Sequence, residues 1–324
     1  MQETNPQRLD ITAFSEKMEL VRRQIGTVIV GQTNAVDLLL TAILADGHVL
    51  LEGVPGVAKT LLAKVIARLT DARFSRLQFT PDLMPSDVLG TNVFNMKTSE
   101  FEFHKGPVFS DLVLVDEINR APAKTQAALF EVMEERQATI DGITYPMDEL
   151  FTVVATQNPV EQEGTYKLPE AQLDRFLMKV SMIYPPLELE VMILKRHQQN
   201  ARLTQLDDLS PVLTKSELLG YRALMSQVIV DDSLLEYIAQ VVQLTRSSKA
   251  IYLGASPRAS VALLRASKGY ALLQGRDFVT PDDIKFVAPS VLQHRLMLTA
   301  EAEMEGYSAV RLVGTLLDQV EVPK

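Results

Sequence analysis

His48-Val-Leu-Leu-Glu-Gly53-Val-Pro-Gly56-Val-Ala58-Lys59-Thr60, continued by Leu61-Leu-Ala-Lys-Val-Ile-Ala-Arg-Leu69, is the stretch that decides the fold. His48 to Glu52 is a short apolar run with strand character, and Gly53 to Thr60 is a glycine-bearing loop. Leu61, Leu62, Val65, Ile66 and Leu69 then share one helical face. The loop reads as G-x-x-x-x-G-K-[ST] with Ala58 where the pattern has a further Gly. Glycines let backbone N–H groups turn inward toward an anion, and the helix N-terminus adds a positive dipole. Ala accepts right-handed helical angles, so Ala58 is expected in the first helical turn. The bland alternative is a plain strand–helix turn, but strand before and helix after is the context the motif requires.

Outward from this unit the chain keeps alternating. Residues 10–28 read as a helix with Ile11, Phe14, Met18, Val21 and Ile25 in register, and residues 33–45 as a helix apolar nearly all round. Two further apolar runs follow, Leu112–Val115 closing in Asp116-Glu117, and Phe151–Thr156 closing in Gln157-Asn158-Pro159, with a helix over 124–135 between them. Uninterrupted apolar runs suit central strands of a parallel sheet covered on both faces. The expected fold is α/β, a parallel sheet between helices. After Pro185-Pro186 the pattern is almost purely helical. Thr214-Lys-Ser-Glu217 and Ser233-Leu-Leu-Glu236 have capping-box spacing, and Ser256-Pro257 and Thr280-Pro281 mark helix starts. The expected division is a core over 1–184 and a helical domain over 185–324. Together they take up nearly the whole chain, leaving about ten N-terminal residues unassigned on this reading.

Composition removes several classes. The 324 residues hold no Cys, which excludes a disulfide scaffold, a thiol nucleophile, an iron–sulfur cluster and a Cys-ligated zinc site. That fits a reducing compartment, and a cytoplasmic location is expected. No apolar run approaches ~18 residues, so no membrane span is expected. The N-terminus lacks the basic and apolar regions of a secretory signal. A formal charge of −9 argues against a bulk nucleic-acid binder, which needs a basic surface.

The strand ends carry the candidate chemistry. Lys59 is placed to reach β- and γ-phosphates and the Thr60 hydroxyl to bind Mg²⁺. Carboxylates at the C-terminal end of a parallel strand face the ligand crevice: Asp116 would help hold the metal, and Glu117 would act as general base on water. Asn158, ending the next strand, can donate to a γ-phosphate and accept from the lytic water; a turn role beside Pro159 is the bland reading. Arg175 can neutralise charge on a transferring phosphoryl group, or simply pair with Asp174. Arg258 falls in a first helical turn, where a cation opposes the dipole unless an anion stands before it; that suggests a phosphate partner.

With those residues in place, the chain resembles an AAA+ ATPase and, within that class, the MoxR family. The likeness is carried over residues 28–180 by Val28-Ile-Val-Gly31-Gln32, Gly47-His48-Val-Leu-Leu-Glu-Gly53-Val-Pro-Gly56, Asp116-Glu-Ile-Asn-Arg120-Ala-Pro, Met133-Glu-Glu135 with Gln137, Ala155-Thr-Gln-Asn158-Pro, Gln162-Glu-Gly-Thr-Tyr166, and Leu168-Pro-Glu-Ala-Gln-Leu-Asp-Arg175-Phe; Gly254-Ala-Ser-Pro-Arg258-Ala adds to it in the helical half.

The resemblance implies that Gly53, Val54, Pro55, Gly56, Val57, Ala58, Lys59, Thr60 and Leu61 look like Walker A and its helix start. Asp116 and Glu117 look like Walker B, and Asn158 like sensor 1. Arg175 looks like an arginine finger given to a neighbouring subunit, and Arg258 like sensor 2. Val30 and Gly31 would flank the adenine. It also implies ATP and Mg²⁺ as cofactors, a hexameric ring, and a helical lid as the second domain. Residues 80–108 look like the family's insert, and residues 136–149, turning at Asp141-Gly142, like a hairpin before sensor 1; both would approach the ring's pore. Lys167 departs from the T-Y-P-L-P-E string expected there. Three functions remain open. One is an ATP-driven, chaperone-like remodeller of a separate protein, such as one with a von Willebrand factor A domain. The others are a nucleotide-gated scaffold or regulator with little turnover, and a nucleic-acid motor. GTP is not excluded as the nucleotide.

Overall fold

The computed structural model of the chain describes residues 9–159, 165–166, 168–199 and 206–323. Five parallel strands form the central sheet: β1 (His48–Gly53), β2 (Phe74–Gln78), β5 (Leu112–Asp116), β8 (Thr152–Gln157) and β9 (Phe176–Met182), in the order β2-β5-β8-β1-β9. Between them in the chain lie two antiparallel hairpins, β3 (Gly90–Asn95) with β4 (Glu100–Lys105), and β6 (Gln137–Ile140) with β7 (Ile143–Pro146). The helices of this half are α1 (Thr12–Val28), α2 (Thr33–Leu44), α3 (Lys59–Leu69), α4 (Pro85–Leu89), α5 (Ala123–Glu135) and α6 (Glu170–Leu173). The helical half runs α7 (Leu187–Gln199), α8 (Lys215–Ser226), α9 (Asp232–Ser247), α10 (Pro257–Leu273), α11 (Pro281–Leu292), α12 (Ala300–Met304) and α13 (Ala309–Gln319).

Successive strand residues alternate between the two faces of the sheet, and two apolar clusters follow from that. Val49, Leu51, Leu114 and Val154 pack with α1, α2 and α3, and this cluster continues without a break into α9, α10, α11 and α13. Leu50, Val113, Val115, Val153 and Ala155 face the other way, onto Leu129, Phe130 and Met133 of α5 and onto Phe79 and Val88 at the base of the insert. Helix α2 is apolar all round because it lies between the sheet and α10, with nine buried residues. At the sheet's exit edge, Gln78 is paired with Asp116 and Glu52 with Gln157. The loops that leave these strands therefore share one crevice.

Four sequence expectations need correction. The apolar runs marked three strands, but the sheet has five. Edge strand β2 carries polar residues at Ser75, Arg76 and Gln78, and β9 is interrupted by Lys179, so neither reads as an apolar run. Ser233 does not cap α9: Asp231 does, its side chain accepting from Ser233 N–H, so the Ser-x-x-Glu pattern starts two residues after the cap. The helical half includes a short antiparallel pair, β10 (Ile251–Leu253) with β11 (Met297–Leu298). Ala58 lies outside the first helical turn, as the N-cap of α3. The capping boxes at Thr214–Glu217 and Thr280–Asp283 are present, and Ser256 and Thr280 each precede a proline at the helix start. Among the described residues no helix is long and apolar enough to cross a membrane.

Candidate nucleotide site

Two cavities meet at the loop between β1 and α3. The first, about 490 Å³, is lined by Pro55 to Leu61 and by the polar or charged side chains of Arg76, Gln78, Asp116, Glu117, Thr156 and Asn158. The second, about 680 Å³, is mainly apolar; Val28, Ile29, Val30, Leu61, Pro185 and Ile193 form its walls. Gly56, Val57, Ala58 and Leu61 line both. A chamber with charged and polar side chains opening into an apolar slot suits the phosphates and base of a nucleotide in its chemistry.

The glycines of the loop have distinct reasons. Gly56 has φ +87 and open space where a Cβ would stand, which leaves room for a ligand against its backbone. A Cβ on Gly53 would lie 2.5 Å from the Met182 carbonyl oxygen, so this glycine lets β1 and β9 close together. Ala58 is left-handed, φ +67 and ψ +25, as the N-cap of α3, not in the right-handed first turn that the sequence suggested. The chain must reverse there to aim the helix N-terminus into the cavity, and that requirement overrides the preference of an Ala. The conformation costs on the order of 1 kcal/mol. Ala58→Gly is therefore expected to leave the thermal midpoint and nucleotide binding nearly unchanged, since relief of strain offsets the added freedom of the unfolded chain. Ala58→Val puts a β-branched residue in that conformation. It is expected to lose binding and to lower the melting temperature by several degrees in denaturation scans with and without nucleotide.

Lys59 Nζ donates back to the carbonyls of Gly53 and Val54, the latter at 3.0 Å. Thr60 Oγ1 donates to Asp116 Oδ1 at 3.1 Å, and Asp116 is buried. Thr156 Oγ1 donates to the same Asp116 oxygen at 3.1 Å and accepts from Glu117 N–H at 3.0 Å. Glu117 has φ +57, a left-handed conformation held at the strand exit. Its carboxylate accepts from Gln78 Nε2 at 2.8 Å and lies 3.2 Å from Arg120 Nε. Asn158 is buried on the same wall. The Thr60 hydroxyl with the Asp116 carboxylate is a set of hard oxygen donors beside a phosphate chamber, which fits Mg²⁺.

Sequence reasoning passed over Arg76 and Gln78. Arg76 Nε donates to Asp116 Oδ2 at 2.6 Å, and its Nη2 donates to Gln78 Oε1 at 3.2 Å. The signal was their two-residue spacing, which puts both on one face of a strand. It was invisible until β2 was recognised as the neighbour of β5.

Arg175 and Arg258 lie elsewhere. They share a third cavity of about 580 Å³ with His48, Arg136, Arg265 and Arg295, at the end of the sheet where β1 begins. His48 and Gly53 are the two ends of β1, so roughly 16 Å of strand separates this cavity from the phosphate loop. The anion in front of Arg258 is Glu134, whose two carboxylate oxygens each accept from Nη2 at 2.9 Å. This corrects the expectation of a phosphate there within one chain. Asp174 pairs with Arg295 at 2.6 Å, not with Arg175. Val30 lines the apolar cavity; Gly31, φ +79, lies against Leu189 and Pro185. Lys167 falls outside the described residues.

Residues 48–178 match the model of the ATPase family associated with various cellular activities (AAA), and residues 243–315 match the AAA lid domain. A protein of Mycobacterium tuberculosis named chaperone MoxR1 is 43% identical over 93% of this chain and 81% of its own length. The chain belongs to the MoxR family of AAA+ ATPases. An uncharacterized Bacillus subtilis protein, YeaC, is 48% identical over 92% of both chains. The crystal structure of a candidate ATPase from Cytophaga hutchinsonii superposes with a TM-score of 0.88 at 43% identity, covering 97% of each chain. The core-plus-helical-lid architecture is that of this family.

Proposed function

We propose that the chain is a ring-forming ATPase that couples Mg²⁺-dependent ATP hydrolysis to remodelling of a separate protein. The observation that carries this is the phosphate chamber joined to an apolar slot, with Lys59, Thr60, Asp116, Glu117 and Asn158 converging on the chamber. In this reading Lys59 and the loop N–H groups bind the phosphates, and Glu117 takes a proton from the attacking water. Asn158 orients that water. Mg²⁺, held by Thr60 and Asp116, supplies charge neutralisation at the β- and γ-phosphates when bound. Arg175 and Arg258 line a cavity at the opposite end of β1 from the chamber, and we assign them to the chamber of the next subunit. A hexamer gives each chamber such a neighbour.

The insert and the second hairpin form one unit. Phe103 stacks on Tyr145 with ring centres 4.2 Å apart, and Asn92 Nδ2 donates to Asp141 Oδ2 at 2.5 Å. Val93, Phe94, Met96, Phe101 and Ile143 on this unit are exposed. Clustered exposed apolar side chains suit contact with another protein, and we assign them to gripping the substrate. The relative's name, a chaperone, supports a protein substrate; the family resemblance makes a von Willebrand factor A-domain protein the specific candidate. The test is subunit mixing. Lys59→Ala and Arg175→Ala proteins are each expected to be inactive, and their mixture to regain phosphate release, because one donates its arginine and the other its loop. A mixture as inactive as its parts would overturn the assignment across subunits.

A further inference from the structure

Arg175 follows α6 and Arg258 opens α10, yet the two guanidinium groups meet at one carboxylate, Glu134, in the last turn of α5. Arg258 spends only Nη2 on it, and its Nε is 3.8 Å from Asp174 Oδ2. Arg175 donates Nη1 to the Ala171 carbonyl at 2.8 Å, and its Nε stands 3.7 Å from Glu134 Oε2, buried and without a hydrogen-bond partner among the described residues. Each arginine is thus tethered by only part of its donor set. A single planar fork held at one corner keeps its remaining donors in a fixed direction.

Glu134 itself is firmly placed. The carbonyl of its neighbour Met133 accepts from the buried His48 ring at 3.2 Å. Two residues on, the left-handed Arg136 closes the helix and donates to the Phe151 carbonyl at 2.5 Å and to Asp46. The end of α5 is therefore pinned to the starts of β1 and β8. Arg258 would otherwise face the positive end of its own helix, and Glu134 supplies the missing negative charge. Half-exposed ion pairs of this kind contribute little to stability, roughly 0–1 kcal/mol, so stability does not account for the arrangement.

We propose that Glu134 is a positioning residue that holds Arg175 and Arg258 converged, ready to meet the nucleotide of the next subunit. This rests on the assignment of both arginines across the subunit boundary. Glu134→Gln keeps the shape and removes the charge. Misplacing a group that acts on the transition state by about 1 Å costs up to ~100-fold, so kcat is expected to fall between ~10- and ~100-fold. KM for MgATP, nucleotide binding and the melting temperature are expected to change little.

Mixing separates the possible causes. E134Q mixed with Lys59→Ala is expected to regain turnover, because the mixed site takes its arginines from the Lys59→Ala subunit. E134Q mixed with Arg258→Ala is expected to gain no turnover over E134Q alone, because neither subunit then offers a correctly held pair. Unchanged or raised turnover in E134Q alone overturns the proposal, as does rescue of E134Q by Arg258→Ala, which would place Glu134 in the service of its own chain's site. If Arg258→Ala and Lys59→Ala fail to rescue one another, the assignment across subunits falls and takes the proposal with it; that pattern differs from a failure confined to E134Q.

Discussion

Glu117→Gln is expected to cut steady-state phosphate release by roughly 10²- to 10⁴-fold, the range lost when a general base is removed, while nucleotide binding changes by no more than a few-fold. The separation follows from the geometry. The groups that would hold phosphates, Lys59 and the loop from Gly53 to Thr60, belong to β1, its loop and α3. Glu117 stands across the chamber at the exit of β5. An amide matches the carboxylate in shape and can still meet Gln78 Nε2 through its oxygen, so the local packing survives. It cannot accept a proton from water, and it loses the charge that faces Arg120 at 3.2 Å. Two measurements on one preparation decide the matter: phosphate release under saturating MgATP, and titration with a fluorescent ATP analogue. Turnover at the wild-type rate would remove Glu117 from the role of base. Loss of binding together with turnover would make it a structural residue. With binding kept and turnover lost, the variant is also the form in which a remodelled partner, as proposed above, would be held long enough to be co-purified.

How much of this was legible in the sequence depended on whether the signal was local. The phosphate loop, the Asp116-Glu117 pair and Asn158 lie within or directly after uninterrupted apolar runs, and burial of both faces of β5 and β8 is what makes such runs. The hairpin of β6 and β7 was legible from Asp141-Gly142, whereas that of β3 and β4 came only with the family resemblance over residues 80–108. Strands β2 and β9 were not, because their polar positions break the apolar run. With β2 hidden, Arg76 and Gln78 carried no meaning. Glu134 was hidden for another reason. In sequence it is one of several acids on α5, and only the fold brings residues 134, 175 and 258 to one point. Ala58 shows the limit of propensity: the backbone direction needed to aim a helix at the chamber decided its φ, not the preference of the side chain.

Acid is expected to destabilise the fold well before its carboxylates titrate. His48 is fully buried, and burial together with the nearby Arg136 lowers its pKa from the usual 6.5 to about 3; the bond to the Met133 carbonyl opposes this only in part. Its Nδ1 accepts from Val153 N–H at 2.9 Å, so the neutral ring carries its proton on Nε2, which donates to Met133. His294 is likewise buried and held well below the usual value by burial and by Arg295. Between pH ~6.5 and ~3 the unfolded chain binds a proton at His48 that the folded chain refuses, so stability is full above pH ~6.5 and falls as pH drops. The slope is about 1.4 kcal/mol per pH unit, or roughly 2 kcal/mol for His48 by pH 5, and His294 acts with the same sign. Asp111 titrates in a separate window. Burial alone would raise its pKa, but hydrogen bonds from Arg73 and Lys215 more than offset that and hold it at about 2. Its contribution is intact above pH ~4 and is lost only toward pH 2. Urea denaturation from pH 7.5 to pH 5 isolates the histidines, and His48→Gln, which can reproduce both hydrogen bonds without titrating, is expected to be less stable at pH 7.5 but to show a slope lower by about one proton. Equal slopes in the two proteins would mean that His48 takes up its proton without leaving the fold. Because His48 pins the turn of α5 that carries Glu134, the arginine cavity is the part of the molecule that this protonation reaches first.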